Sequence, residues 1–565
     1  MKRNGTCLGW AVIAGLLWAG CGPDAHMPAS ASSGRQTGTD IRSVMASCPT
    51  DPLYSDCDTC IDAPQALDQT GTTYCLARDL TLSDGGFAIS VNDVTLDGKG
   101  HRITYTRGAH YYNSFLHIDR SCSDSTEHDE SCWVRRATVR NFNVEADNID
   151  FVKWIGLNLV SDSLFENTRI IVRNATTDNA PGDGKMLFAF FSSFKNRFLN
   201  NYFYFSFAGT VEIPYFFNLR NGSCGNQFVN NTFVAASPSI PFILRPNSGS
   251  TGNWGRPQDN VFSGNRFFMA GDNALNIQAS EVNDRTIIEN NLFYSMGTNV
   301  WLYNDVGGNY TYQVHGNTFL SQAGLGFTRN NTQATGSIDF KNNIFVTGDQ
   351  TIAVGASVMT SDYNDLLRTT SGPLIENKQT LSDWQEASGK DMNSMSEGSA
   401  SALFVDPGVD LTVYPPYLGN FQLKVDPPSP AKGKGEFGID LGAPNGGLAG
   451  SLRTPYCSKT DSGPPPTDPV DSTIPHGVIV MGGYYTTDGQ FRWADGLGSF
   501  SITVRDGQAT PEPVPNALVS LDLSACPYID ICSDTPNLSG RVVTGQTDAN
   551  GNLTLSVIGR YGVDP

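Results

Sequence analysis

Six stretches of the chain share one order of apolar and polar positions, apolar-x-(Asn/Gly)-Asn-x-Phe. They are Phe198-Leu-Asn-Asn201-Tyr-Phe203, Phe228-Val-Asn-Asn231-Thr-Phe233, Phe262-Ser-Gly-Asn265-Arg-Phe267, Ile288-Glu-Asn-Asn291-Leu-Phe293, Val314-His-Gly-Asn317-Thr-Phe319 and Phe340-Lys-Asn-Asn343-Ile-Phe345. The second Asn recurs at intervals of 30, 34, 26, 26 and 26 residues, with a degenerate copy at Leu164-Phe-Glu-Asn167. A fixed period of this size is the signature of a solenoid. Short alternating runs between Asn and Gly residues make each unit a β-coil rather than a helix pair. The apolar residue three before the second Asn and the Phe two after it are expected to point inward. The intervening Asn-Asn or Gly-Asn pair turns the chain, since Asn and Gly accept left-handed backbone angles. The second Asn is expected to stack rung on rung as an Asn ladder, which makes it structural and removes it from any list of site candidates. The 30- and 34-residue intervals predict loops extruded from one side.

These motifs resemble those of right-handed parallel β-helix proteins, the superfamily of the pectate lyases and related polysaccharide enzymes. The segment Val94-Thr-Leu-Asp97-Gly-Lys-Gly-His101-Arg-Ile103 resembles the opening coils of such proteins. Ser361-Asp-Tyr-Asn364, Trp384, Phe404-Val-Asp-Pro407, Phe421-Gln-Leu and Ser429-Pro-Ala resemble the closing segment of bacterial members. The likeness runs from about Cys75 to Gly446 and carries the handedness. It is specific for the fold and poor for function, which resides in grafted sites.

Further along, Ser458 to Ile474 contains Pro464-Pro-Pro466 and reads as an extended linker. Gly477-Val-Ile-Val, Ser499–Val504, Ala517–Leu523, Arg541-Val-Val-Thr and Leu553–Val557 read as short strands, with a turn at Asp548-Ala-Asn-Gly551. They predict a small β-sandwich resembling the immunoglobulin-like modules of bacterial surface proteins. The fold class expected is therefore all-β, a right-handed parallel β-helix followed by a small β-sandwich. The divisions expected are a signal peptide (1–20), a tether (21–47), a disulfide-rich cap (48–79), the β-helix (80–356), its closing segment (357–457), the linker (458–474) and the sandwich (475–565), which is read as possibly truncated.

The N-terminus adds a destination. Lys2 and Arg3 precede an apolar run from Leu8 to Ala19, a pattern that reads as a secretory signal. Leu17-Trp18-Ala19-Gly20-Cys21 resembles a bacterial lipobox, with Trp18 where lipoproteins usually carry Leu. The resemblance implies lipidation of Cys21 and attachment to the bacterial outer membrane or cell surface; the other reading is a secreted protein cut from an ordinary signal peptide. Of the 12 Cys, ten remain beyond Cys7 and Cys21, an even number that fits disulfides in an oxidising compartment. Cys57-x-x-Cys60 is read as part of that framework rather than as zinc or redox chemistry, with the pairing left open.

Net charge of −19 excludes nucleic acid as a natural partner, because phosphates need clustered Lys and Arg. It also excludes a polybasic attachment to lipid. A monomer is expected. The Asn-Thr-Asp, Asp-Asp, Gly-His-Gly and Arg-Ile-Lys motifs of polygalacturonase-type hydrolases do not occur, nor does a phosphate loop, a Ser elbow or a His-x-x-x-His metal site. A lyase needs less: a base, often Lys or Arg, and a cation or metal to neutralise a uronate carboxylate.

Such groups are sought on the strand that follows each Asn-x-Phe. If Leu275/Ile277, Val300/Leu302 and Leu325/Phe327 point inward, then Asn276, Trp301, Tyr303 and Gly326 point outward. Extending that register upstream adds Arg245, Glu212, Lys185 and Asp150. Lys185 and Arg245 are the candidate catalytic groups, and Glu212, Asn276, Trp301 and Tyr303 the candidate ligand contacts. A sugar's apolar face would stack on the rings. The bland alternative is a solvated surface with Trp301 packed beneath a loop. Asp178-Asn-Ala-Pro-Gly-Asp183-Gly offers oxygen ligands for Ca²⁺ through Asp178 and Asp183, although such runs are more often simple turns. Three functions fit: a surface protein that binds and cleaves polysaccharide by β-elimination, a non-catalytic adhesin or structural rod, and a periplasmic copper-handling β-helix. The last is weakest, because Met/His clusters are missing.

Overall fold

In the computed structural model the residues described are 48–83, 85–106, 115–120, 130–149, 153–175, 186–208, 215–220, 222–240, 242–246, 257–277, 284–302, 309–329, 335–453 and 455–457, with the strand backbones between 483 and 559 and Asp548. The parts called signal peptide, tether and linker fall outside them.

Three parallel sheets of 12, 11 and 11 strands dominate the described residues. Sheet I runs from Thr59–Ile61 to Met359–Asp362, sheet II from Leu80–Leu82 to Asp365–Arg368, and sheet III from Ala66–Leu67 to Ile352–Ala353. Successive strands visit I, II and III in turn, and each pairs with the strand one coil later, which is a parallel β-helix. The repeat motif bridges sheets I and II. Gln227–Val229, for example, is followed by Asn230 at φ 56° and then by Thr232–Ala235. The same left-handed position is held by Asn200, Gly264, Asn290, Gly316, Asn342 and Tyr363.

The second Asn of each motif is buried and bonded along the axis. Asn291 Nδ2 donates to Phe262 O (2.8 Å) and Asn317 Oδ1 (3.0 Å), while its own Oδ1 accepts from Asn265 N (2.8 Å) and Nδ2 (3.0 Å). The chain of amides runs from Asn201 through Asn231, Asn265, Asn291, Asn317 and Asn343 to Asn364. In the degenerate copy, Thr168 holds the ladder place and its N–H donates to Asn201 Oδ1. Inside the coil, two ring stacks follow the repeat. Phe165, Phe198, Phe228 and Phe262 stack at 4.7 to 5.4 Å, and Phe203, Phe233, Phe267, Phe293, Phe319 and Phe345 at 4.5 to 5.4 Å. These spacings match the strand separation, so each ring satisfies its neighbours above and below.

A second ladder lies five residues upstream, at the other end of the sheet I strands. Ser163 N donates to Asn196 Oδ1, Asn196 N to Asn226 Oδ1 and Asn226 N to Asn260 Oδ1, each at 3.1 Å. The signal for it is Asn196-Arg-Phe198, Asn226-Gln-Phe228 and Asn260-Val-Phe262, a second Asn-x-Phe in the same coils.

Both ends of the coil are closed. At the start, Cys48–Cys60 and Cys57–Cys75 hold a small cap. Its Asp56 reaches Lys99 and Arg140, which also flank the buried Asp97. His101 joins the same contact, bonded to Tyr54 Oη (2.6 Å) and Asp79 (3.0 Å). At the far end, the helix Leu381–Ser388 opens with a Thr380/Asp383 capping box and lays Trp384 over the core. Trp384 Nε1 donates to Asp391, whose other oxygen accepts from Ser361 and Asn364 and so ends the ladder.

Beyond Asp391 the chain reverses and forms a strap along the outside of sheet II. Sheet II is apolar on that face too, with Ile171, Tyr204, Val234, Phe268, Tyr294, Leu320, Val346 and Leu367 in one register column. The antiparallel pair Phe404–Asp406 and Asn420–Leu423 covers it with Leu403, Phe404, Leu411 and Phe421. The strap's partners then fall steadily in number: Gly442 N to Asn342 O, Ala443 N to Thr318 Oγ1, Gly450 N to Asn230 Oδ1 and Arg453 N to Gln227 Oε1. It ends at the buried Cys224–Cys457 disulfide, spanning 233 residues.

In the C-terminal region, Leu497–Thr503, Ile529–Ile531 and Asn552–Gly559 form one antiparallel sheet, and Leu518–Asp522, Leu538–Ser539 and Val542–Gln546 another. Four of these six strands coincide with runs read as strands in the sequence; Gly477–Val480 lies outside the described residues. Among the described residues no helix is long and apolar enough to cross a membrane. The three disulfides fit an exported protein.

Candidate functional site

Sheet II is covered by the strap, and the outer face of sheet III is built differently. Its strands place Leu116/Ile118, Ile155/Leu157, Phe188/Phe190, Phe217/Leu219, Leu275/Ile277 and Val300/Leu302 in the core. The residue between each pair therefore faces away from it. Read rung by rung, that column is Ala88, His117, Gly156, Ala189 and Asn218, then Asn276, Trp301, Thr328 and Ala353, with position 245 at the backbone register between Asn218 and Asn276. The pairing of Leu244 with Leu275 sets Arg245 and Asn276 on neighbouring rungs.

A second column stands two residues further along the strands: Asp119, Asn158, Phe191 and Arg220. Asn158 Nδ2 donates to Asp119 Oδ1 at 3.2 Å, and His117 Nε2 lies 3.8 Å from Asp119 Oδ2. The Arg220 guanidinium sits 5.9 Å from the Phe191 ring centre, a cation–π contact. Small residues make room between them. A Cβ at Gly156 would stand 3.1 Å from His117 Cδ2, so the imidazole lies against that rung. The His117 side chain is 53% exposed and that of Asp119 15%, while Asn218 and Asn276 are buried.

Of the residues singled out in the sequence, Asn276 and Trp301 stand side by side in the outward column, with Trp301 half-buried. Arg245 shares their register on the strand Phe242–Pro246. Lys185, Glu212, Tyr303, Asp150, Asp178, Asp183 and Cys21 lie outside the described residues. The strands of two of those coils, Met186–Phe191 and Tyr215–Arg220, begin after Lys185 and Glu212, and their outward positions belong to Ala189 and Asn218. One expectation is corrected: Gly326 does not face outward. A Cβ there would meet the buried Phe345 ring at 2.5 Å, and Leu325 is only half-buried. The strand starts at Phe327, and Thr328 takes the outward place beside Trp301.

His117, Asp119, Asn158 and Arg220 were not found from the sequence. The alternation that locates Trp301 also locates them once the strands are fixed. Upstream the coils lose the 26-residue period, and adjacent core residues such as Phe216 and Phe217 break the alternation.

Another acidic cluster is internal. Asp284 is 1% exposed and accepts from Tyr312 Oη (2.5 Å), Thr286 Oγ1 (2.9 Å) and Asp259 N (3.0 Å). Burial pushes its carboxyl up to about 6. Arg285 and Arg329 flank the cluster, Arg285 against Asp259 and Arg329 donating to Tyr310 Oη. No substrate could reach Asp284, so the cluster secures the corner between sheets III and I. The triple of Asp56, Cys57 and Cys75 is no metal site either, since both cysteines are in a disulfide. No protein-family model matches the chain, and no curated protein is detectably similar to it.

Proposed function

We propose that the chain is an exported β-helix protein that binds acidic polysaccharide along the outer face of sheet III. The observation that carries this reading is the pair of outward columns, in which His117, Arg220 and Trp301 recur at whole numbers of strand spacings along one face. A polysaccharide lying along the axis would meet the exposed His117 and the half-buried Arg220 and Trp301, with Arg220 toward a carboxylate and Trp301 beneath a sugar ring. A parallel β-helix is compatible with this role and with that of a lyase.

Binding is favoured over cleavage by distance. β-Elimination needs a base and a carboxylate-neutralising cation on the same sugar. Asp119 and His117 stand three rungs from Arg220, roughly 14 Å at the usual strand spacing. Arg245, beside Asn218, is the further cation that a lyase reading would draw on. Lipidation of Cys21 would hold the binding face at the cell surface, and a Cys21→Ser variant appearing in the soluble fraction would support it.

The test is retardation of the purified protein in gels containing polygalacturonate, alginate or a neutral glucan, beside Trp301→Ala and Arg220→Gln. Retardation by an acidic polymer that both substitutions reduce supports the reading. Equal mobility of wild type and variants in every gel would end it. Unsaturated uronate products, measured by absorbance, would move the assignment to a lyase.

A further inference from the structure

The strap holds up one aromatic ring in a turn that runs from Gly433 to Asp440. Phe437 at its tip is 90% exposed and sits at φ 59°, ψ 18°. That is the left-handed region, which a bulky side chain keeps only where its surroundings over-determine it. Here they do. Glu436 N donates to Asn342 Oδ1 (2.7 Å), and the Glu436 carboxylate lies 3.3 Å from Lys341 Nζ. Gly433 N donates to Asp440 Oδ1 (2.9 Å) and Gly435 N to Ile439 O (2.8 Å). The ring is therefore a rigid knob. Exposed apolar side chains continue from it along the strap at Ile439, Leu448 and Leu452, and such a line on a soluble surface marks an interface.

The same strap encloses a cavity of about 290 Å³ against the outer face of sheet II. Phe268, Leu292, Leu418 and Phe421 supply its apolar walls, and Gln422 stands exposed at its mouth. Arg266 in the lining is engaged within the chain, through Gly446 O and further contacts, so the cavity calls for no ionic ligand. A cavity of roughly 150 Å³ already takes benzene, which leaves room here for a phenylalanine ring. Knob and cavity are close. Gly435 packs on Asn342, and the register leads from Ile344 through Thr318 to Leu292 and Arg266, roughly 10–14 Å along the axis at the usual strand spacing.

A knob and a cavity on one chain can satisfy each other across a two-fold axis. When that axis is perpendicular to the line joining them, each knob meets the other copy's cavity and the assembly closes at two. The charges agree in sign. Glu436 and Asp440 are engaged within the turn, where Lys432 and Lys434 leave a positive balance. Beside the cavity, the backbone of Asp406 packs on Gly419, and Asp406 and Asp410 accept from the neutral donors Tyr417 Oη, Gly408 N and Thr412 N and keep their charge.

We propose that two copies of this chain pair strap to strap as a reciprocal dimer, with Phe437 of each seated in the strap cavity of the other. The pairing stands on the strap and sheet II alone and does not depend on the reading of sheet III. The monomer expected from the sequence then holds only at low concentration.

Sedimentation equilibrium of the purified protein tests it. A monomer–dimer equilibrium is the expected result. Phe437→Gly, which removes the ring and suits the left-handed angle, should raise the dimer dissociation constant about tenfold or more at an unchanged or higher melting temperature. Gln422→Trp, which fills the mouth from an exposed position, should do the same. Mixing the two variants should restore part of the dimer, because a mixed pair regains one knob facing one open cavity. Trp301→Ala should dimerise as wild type does. The proposal is overturned by a protein that stays monomeric to about 100 μM, by assemblies larger than a dimer, by an undiminished dimer in Phe437→Gly, or by a mixture that dimerises no better than either variant alone.

Discussion

Gly264 and Gly450 meet backbone to backbone where the strap crosses the repeat. A Cβ on Gly264 would lie 2.0 Å from Gly450 N, and one on Gly450 would lie 2.1 Å from Ser263 O. The repeat itself favours Asn at this position, since Asn200, Asn230, Asn290 and Asn342 adopt the same left-handed angle. Gly264→Asn therefore looks harmless from the motif and is expected to be harmful. Overpacking should cost about 1–3 kcal/mol and loosen the strap. Gly316→Asn is the control, because its nearest obstacle is the movable Asn290 side chain at 2.5 Å. Urea unfolding of the two variants should rank Gly264→Asn well below Gly316→Asn; equal midpoints would contradict the crossing.

The strap's far end depends on Cys224–Cys457, which closes a loop of 233 residues. Chain-entropy reasoning assigns such a link roughly 5 kcal/mol at most, and native disulfides commonly contribute about 2–5 kcal/mol. Cys457→Ser should lower thermal stability and open the strap to limited proteolysis between residues 440 and 457 while sheets I and III stay protected. Hydrogen exchange resolved by segment would check this. Uniform loss of protection throughout the β-helix would show that strap and coil unfold as one unit.

The Asn291 side chain takes part in four hydrogen bonds, and its neighbours are buried. Asn291→Ala should take from Asn265 N–H and Phe262 O the side-chain partner that each has in Asn291, at a cost of about 1–3 kcal/mol per buried group, while Asn317 Oδ1 keeps the Asn291 N–H. Asn291→Asp should be worse, because it sets a charge in the ladder and removes the donor to Phe262 O. Chemical denaturation of both variants measures the order, and an Asp variant as stable as Ala would contradict it.

Asp365 gives the stability a pH dependence. It is fully buried under the start of the strap, and burial, aided by the charge of Glu397, pushes its carboxyl up to about 7 despite the bond from Glu397 N. The folded state keeps the proton that an unfolded chain releases near 4. The stabilising contribution of the neutral form is thus complete below about 4 and is lost as pH rises to about 7, on the order of 4 kcal/mol in all. Asp284, raised to about 6, adds the same sign over a narrower window. Asp365→Asn should flatten the profile and, at pH 8, melt above wild type. A variant whose melting temperature tracks wild type from pH 4 to 8 would show that the carboxyl is not held neutral.

The repeat was legible because one backbone problem, turning a corner at a left-handed residue, recurs with one solution. Hence the Asn ladder and the inward place of both apolar positions could be read from spacing alone, and the outward register of Asn276 and Trp301 from alternation. Tyr204, Val234, Phe268 and Tyr294 each follow an inward Phe or stand beside one, which marks sheet II as apolar on both faces and so in need of a cover. Nothing local says that the cover comes from residues two hundred positions later. The Cys224–Cys457 pair was hidden for the same reason. His117 and Arg220 belong to coils whose length varies, where counting residues no longer counts rungs.

The strap also makes the coil countable. Solenoids ordinarily lengthen by duplicating a unit, because each unit touches only its neighbours. Here Gly442, Gly450 and Cys457 must arrive opposite fixed rungs. A duplicated coil between Gly264 and Asn342 would leave Gly442 at Asn342 and carry Gly450 and Cys457 out of step by a strand spacing. The number of turns in this part of the molecule and the length of the strap are therefore heritable only together, as a gauge and the object cut to it.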